Sequence, residues 1–166
     1  MPIDAELTFA DHAGRLYARR YGFPPMVGRL LGYLAICDPR DQSIGELAEA
    51  LLASRSAIAG AIKTLETMQL VQRSRAAGER MDRVRISMNS TQATGFDVTE
   101  YIEQGDLARE GLDVLKGTSI ERRAVLLEWA AFADFLADSL PGLEKQWKEH
   151  RAALMKAGKL PDESHL

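Results

Sequence analysis

Two helix starts lie so close together in this chain that the polypeptide has to turn sharply between them. Ser43-Ile44-Gly45-Glu46 is a capping box: the Ser43 hydroxyl accepts from the third backbone N–H, while the Glu46 carboxylate reaches back to the Ser43 amide. Ile44, Leu47, Ala48 and Leu51 follow on one face, which predicts a short helix ending at about Leu52. Ser54 then offers a fresh N-cap. From there Ile58, Ala61, Ile62 and Leu65 form the apolar stripe of a second helix. Helix, tight turn, helix is the motif this order describes.

The other face of the second helix is nearly bare. At about 100° per residue the line opposite the stripe is Ser56, Gly60, Lys63 and Thr67, flanked by Ala59. An exposed glycine inside a helix costs about 1 kcal/mol relative to alanine, so Gly60 needs a reason. Close approach of a ligand to the helix backbone is one; packing against another helix of the same protein is the other.

After Met68 the apolar period changes to two. Val71 and Arg73, then Val84, Ile86 and Met88 alternating with Arg83, Arg85 and Ser87, predict two strands. They are joined through Ala76-Ala77-Gly78-Glu79, where Gly78 can adopt the positive φ of a hairpin tip. Helix, helix, turn, helix and hairpin make a winged helix-turn-helix. The second helix of such a pair enters the major groove of DNA, and the hairpin reaches the backbone or the adjacent minor groove.

Charge supports that reading locally, although the net formal charge is only -3. Between Ser54 and Ile86 seven basic residues (Arg55, Lys63, Arg73, Arg75, Arg80, Arg83, Arg85) face three acidic ones (Glu66, Glu79, Asp82), so this segment is +4 and the remainder -7. Arg55 and Lys63 are suited to phosphates, Ser56 to a base edge or phosphate, and Ala59 and Gly60 to close approach. The wing arginines Arg73, Arg75, Arg80, Arg83 and Arg85 share one edge, with Asp82 placed to orient a neighbour. Arg80, near the tip, is expected at the minor groove, and Arg83 or Arg85 on phosphate.

Elsewhere the pattern is helical. A helix over about Asp4 to Tyr21 is ended by Gly22, and Pro24-Pro25 opens another whose Val27, Leu30, Leu31 and Leu34 are core. Residues 89–95 have loop composition and mark a boundary. Beyond it helices are predicted at about Asp97 to Leu115, Ser119 to Ser139 and Leu143 to Ala157. Thr118-Ser119-Ile120-Glu121 reads as a second capping box, and Pro141-Gly142 as the break between the last two helices. The middle one carries Leu126, Leu127, Trp129, Ala130, Ala133 and Leu136, too wide a stripe for one neighbour, which predicts burial against a second subunit. The expected fold is mainly α with a two-stranded β wing. Its winged helix-turn-helix spans 24–90, and 1–23 with 91–166 form a helical dimerisation region.

Several function classes are set aside. A lone cysteine, Cys37, permits no internal disulfide and no cysteine-type zinc site; without cationic neighbours it reads as a small buried hydrophobe rather than a redox sensor. His12, His150 and His165 are far apart and belong to no metal-spacing motif. Neither a phosphate loop nor a nucleophile motif is present, so neither catalysis nor a cofactor is expected. The N-terminus lacks signal-peptide features and no apolar run is long enough to span a bilayer, so a cytoplasmic protein without membrane association is expected.

Residues 9–90 resemble the GbsR-like branch of the MarR family of transcriptional regulators. The resemblance is carried by Gly22-Phe23-Pro24-Pro25, Gly28-Arg29-Leu30-Leu31-Gly32-Tyr33-Leu34, Ser43-x-x-Glu46-Leu47, Leu51-x-x-Ser54 and Gly78-x-Arg80. Met81 departs from the basic or polar residue usual after that last unit. The resemblance implies a homodimeric repressor or activator that binds double-stranded DNA, with the terminal helices at the dimer interface. It implies DNA contacts at Ser54, Arg55, Ser56, Ala59, Gly60, Lys63 and the wing arginines, Arg80 above all. It also implies a small-molecule effector. Tyr17, Tyr21, Tyr33, Trp129 and Phe132 are the aromatic candidates for its pocket, where a cation would be held by cation–π attraction; as core residues they would need no ligand. A winged-helix module whose basic wing meets an acidic protein is the competing reading of the same charge pattern.

Overall fold

The structure is a computed structural model and describes residues 2–75, 78, 81–87 and 94–161. The chain divides into two compact units, Met1–Ala93 and Thr94–Leu166.

In the first unit α1 (Asp4–Tyr21) is followed by α2 (Pro25–Leu34), β1 (Gln42–Ser43), α3 (Ile44–Ala50), α4 (Arg55–Thr67), β2 (Val71–Ser74) and β3 (Arg83–Ile86). α1 ends where the sequence places its stop, with Gly22 at φ 67. α1 and α2 cross at very short range. A Cβ on Gly28 would lie 2.8 Å from the Tyr17 Cβ, and one on Gly32 would lie 2.5 Å from the Ala13 Cβ. Those two glycines, together with Ala10 and Gly14, let the helices meet backbone to backbone. α1 therefore packs within the first unit. Beneath this pair Leu30, Leu47, Leu51, Ile58, Ile62, Leu65 and Val84 are fully buried and join α2, α3, α4 and the sheet in one core.

The sheet has three strands in the order β1-β3-β2, not the two expected. Gln42 and Ser43 pair with Val84 and Arg83 on the inner edge of β3. A strand of two residues has no period to detect, and by sequence Ser43 reads only as a cap. It is both: the Ser43 amide donates to Glu46 Oε2 at 2.7 Å, and the Glu46 amide donates to Ser43 Oγ at 3.2 Å. β2 pairs with β3 in the register Val71–Ile86, Gln72–Arg85, Arg73–Val84 and Ser74–Arg83. Gly78 has φ 88, as the hairpin required. Ala76, Ala77, Glu79, Arg80 and Met88, which the wing reading also used, lie outside the described residues.

The turn between α3 and α4 is a Schellman motif. The Ala53 amide donates to Ala48 O at 2.9 Å and the Leu52 amide to Glu49 O at 3.3 Å, with Leu52 in the left-handed region at φ 51. Leucine thus occupies the place usually given to glycine, and its side chain is 83% exposed. α4 ends in the same way through Gln69 at φ 54, with Leu70 N donating to Leu65 O at 2.9 Å.

The second unit pairs α5 (Thr99–Val114) with α6 (Ile120–Lys156). Gly105, Ala108, Ala130 and Ala133 are buried, and Arg109 on α5 donates to both Asp134 oxygens at 3.1 Å. Two expectations are corrected here. α6 runs through Pro141 without a break, although a proline inside a helix removes one hydrogen bond and costs about 3 kcal/mol. The bonds retained on both sides outweigh one missing donor in a helix of this length. The predicted capping box at Thr118 is not formed either. Ser119 is the N-cap, accepting from the Arg122 amide at 3.4 Å, while Thr118 Oγ1 donates to Leu115 O at 2.7 Å. Among the described residues no helix is long and apolar enough to cross a membrane.

Candidate nucleic-acid interface

α4 exists because Ser54 caps it and because four apolar residues seat it on the core. The Ser54 hydroxyl accepts from the Ala57 amide at 3.1 Å, and Ile58, Ala61, Ile62 and Leu65 are buried. The opposite side is open. Ser56, Gly60 and Lys63 are exposed, Ala59 is half-buried, and a Cβ at Gly60 would meet nothing within 4 Å. Gly60 therefore packs against no other described part of this chain, which removes the packing explanation for it. Arg55 lies toward α3, its Nη2 3.6 Å from where a Cβ on Gly45 would stand. Along the same helix Thr64 and Thr67 turn their hydroxyls back on the Gly60 and Lys63 carbonyls, at 3.3 and 3.0 Å.

The wing is held to the helices by ion pairs that no sequence period reveals. Arg73 on β2 meets Glu66 on α4, Nε to Oε1 at 2.6 Å and Nη2 to Oε2 at 3.2 Å. Arg75 donates to Asp82 at 2.7 Å across the hairpin, and this bond holds the Asp82 carboxyl below the usual carboxylate range. Asp82 thus orients an arginine as its position suggested. Arg83 donates from Nη1 to Glu46 Oε2 at 3.1 Å and to Asp41 O at 3.2 Å. The Glu46 carboxylate consequently caps α3 and anchors β3 at once. Its pKa is lowered, chiefly by the Ser43 amide, then by the Ser43 hydroxyl and Arg83.

Three of the five wing arginines are thus paired with carboxylates of their own chain. Arg85 sits in the middle strand with its side chain exposed, and Arg80 lies outside the described residues. Sequence reasoning placed Glu66 among the charges and Glu46 in the cap but matched neither to its arginine. A helix end and a strand start meet only in three dimensions. Arg29 was also missed as an interaction: it donates from Nε to Asp11 at 2.5 Å and from Nη1 to Leu51 O at 2.7 Å.

The aromatic candidates divide between the two units, Tyr17, Tyr21 and Tyr33 in the first and Trp129 and Phe132 in the second. Tyr17 and Tyr21 stack with centroids 5.7 Å apart, and Phe23 joins them at 6.5 and 5.5 Å. Tyr33 belongs to the core of the first unit, and burial raises its pKa. In the second unit the Trp129 indole donates to Gln104 at 3.4 Å, and Phe132 is exposed. Cys37 is buried, its thiol directed at Leu34 O and its pKa raised mainly by that burial, as a small core hydrophobe requires.

Comparison with known proteins agrees with this architecture in both units. Residues 21–80 match the MarR family, and residues 91–150 match MmpR5-like MarR family transcriptional regulators. The HTH-type transcriptional regulator MmpR5 of Mycobacterium tuberculosis is 32% identical over 123 residues, 74% of either chain. A crystal structure of a transcriptional regulator, 27% identical, aligns with a TM-score of 0.79 over 87% of this chain and 99% of its own. The capped helix pair, the sheet wing and these matches have one common reading: the chain belongs to the MarR family of winged-helix transcriptional regulators.

Proposed function

We propose that the protein works in the cytoplasm as a homodimer that binds a pseudo-palindromic DNA site, with α4 in the major groove and the wing beside it. The open surface at Gly60 carries this reading: among the described residues nothing lies within 4 Å of where its Cβ would stand, on a helix face otherwise made of Ser56, Ala59 and Lys63. On this reading Arg55, Ser56, Ala59, Gly60, Lys63 and Arg85 approach the duplex, joined by Arg80 from the wing tip. Ser54 starts the helix, and Arg73, Arg75 and Arg83 hold the wing in place through their carboxylates. The exposed apolar side chains Val125, Phe132 and Phe135 of α6 support a partner subunit on that helix. A small-molecule effector belongs to the same proposal, with the Tyr17, Tyr21 and Phe23 stack as the assembled aromatic group closest to the predicted cage. The GbsR-like pattern of residues 9–90 motivates that cage and stands beside the MmpR5-like match of residues 91–150.

The test is binding to genomic fragments around the protein's own gene at several salt concentrations. Duplex binding through several phosphates predicts a linear fall of log K with log salt, and sedimentation should give a dimer. Affinity for an acidic protein surface with none for any duplex would replace this reading by an interaction module.

A further inference from the structure

We infer that Arg29 is a positioning residue for DNA binding, one that sets the angle of α4 without touching the duplex. The inference rests on the reading of α4 as the DNA-contacting helix. Arg29 projects from α2, where its guanidinium makes two bonds in different directions: Nε to Asp11 on α1 at 2.5 Å and Nη1 to Leu51 O at 2.7 Å. The arginine is partly buried, with 23% of its side chain exposed. Leu51 is fully buried at the C-cap of α3.

The acceptor matters because of where it sits. The backbone bonds of the turn employ the carbonyls of Leu47, Ala48 and Glu49, and the Leu51 carbonyl is met by Arg29 instead. That carbonyl belongs to the peptide joining Leu51 to Leu52, the residue at φ 51 where the chain changes direction into α4. Holding its oxygen fixes the plane of that peptide. A cation at the C-terminal end of α3 is also favoured by the helix dipole. Since α1 and α2 are locked together at Gly28 and Gly32, Arg29 ties the turn to a rigid two-helix plate. The 13 residues of α4 span about 20 Å at 1.5 Å per residue. A tilt of about 3° at the turn therefore moves the far end by about 1 Å over that length. The guanidinium meets its two partners through two different nitrogens held in one plane, a spacing that the single nitrogen of a lysine ammonium matches only in part.

The experiment compares Arg29→Met, Arg29→Lys and Asp11→Asn with the full-length wild type. It measures duplex affinity across a salt series, well below the unfolding transition, together with amide hydrogen exchange of the free proteins. Arg29→Met is expected to weaken binding about tenfold, the scale of losing a charge-assisted bond that acts through a coupled element. Its salt slope should stay that of the wild type, and exchange should quicken at Leu52 to Ala57. Arg29→Lys should recover only part of the affinity, and Asp11→Asn should show a smaller loss of the same kind. Wild-type affinity in a folded Arg29→Met protein overturns the inference, as does a salt slope reduced by about one, which would mark a direct phosphate contact. Should Arg29→Met not fold, Arg29→Lys and Asp11→Asn decide by the same measurements. Absence of duplex binding by the wild type overturns the DNA-binding reading itself, whereas unchanged exchange at the turn overturns the Arg29 restraint alone.

Discussion

Arg73 on β2 grips Glu66 on α4 through a two-bond fork, at 2.6 and 3.2 Å, which ties β2 to the helix beside it. Both side chains are about one-third exposed, and a pair in that setting contributes about 1 kcal/mol or less to folding. Glu66→Gln should therefore leave the unfolding midpoint almost unchanged while weakening duplex binding through a loosened wing. Salt titration separates this effect from a lost contact. Glu66→Gln should keep the wild-type slope, whereas Lys63→Ala and Arg85→Ala should each lower it by about one. Equal slopes for all three would mean that Lys63 and Arg85 do not meet phosphates.

Gly60 should separate stability from function. With open space where its Cβ would be, Gly60→Ala should stabilise the free protein by about 1 kcal/mol, the helix-interior difference between the two residues. The same methyl should reduce duplex affinity, and Gly60→Glu should abolish it while the protein stays folded. Thermal unfolding and a binding titration on the same samples check both signs. A destabilised Gly60→Ala would show that another surface covers this face.

Leu52 offers a gain of stability at the turn. A non-glycine residue in the left-handed region costs about 1–2 kcal/mol, and glycine costs roughly 0.5–1 kcal/mol in backbone entropy. The difference predicts that Leu52→Gly raises stability, by up to about 1.5 kcal/mol. Its 83% exposure means that little packing is lost. Chemical denaturation measures this directly, and a lower midpoint would show that Leu52 contributes contacts the open turn does not reveal.

Glu46 predicts a pH effect of definite sign. Because its carboxyl is held below the ordinary range by the Ser43 amide and hydroxyl and by Arg83, its stabilising contribution is present above the unfolded pKa, about 4.3. That contribution is lost as pH falls through the lowered folded value. Glu46→Gln should therefore be less stable than the wild type at neutral pH, and the gap should narrow on acidification below about pH 4.3. Unfolding curves of both proteins between neutral and acid pH give the comparison; a constant gap would place the linkage elsewhere.

Helix starts at Ser43 and Ser54, the stop at Gly22, the apolar stripe of α4 and the alternating wing strands are local signals, because capping and periodicity involve residues within one or two turns of each other. They were enough for the winged-helix order and for the bare face around Gly60. The same local rules misjudged Pro141, since a rule about one missing donor does not weigh the helix on either side, and they could not see β1, too short to have a period. The tertiary structure decided which arginines have partners. Glu66 with Arg73, Glu46 with Arg83 and Asp11 with Arg29 lie 7, 37 and 18 residues apart in sequence. Only packing the helices and sheet on a common core brings their charges within hydrogen-bonding distance, and charge, unlike helical periodicity, acts through space without regard to the path of the chain.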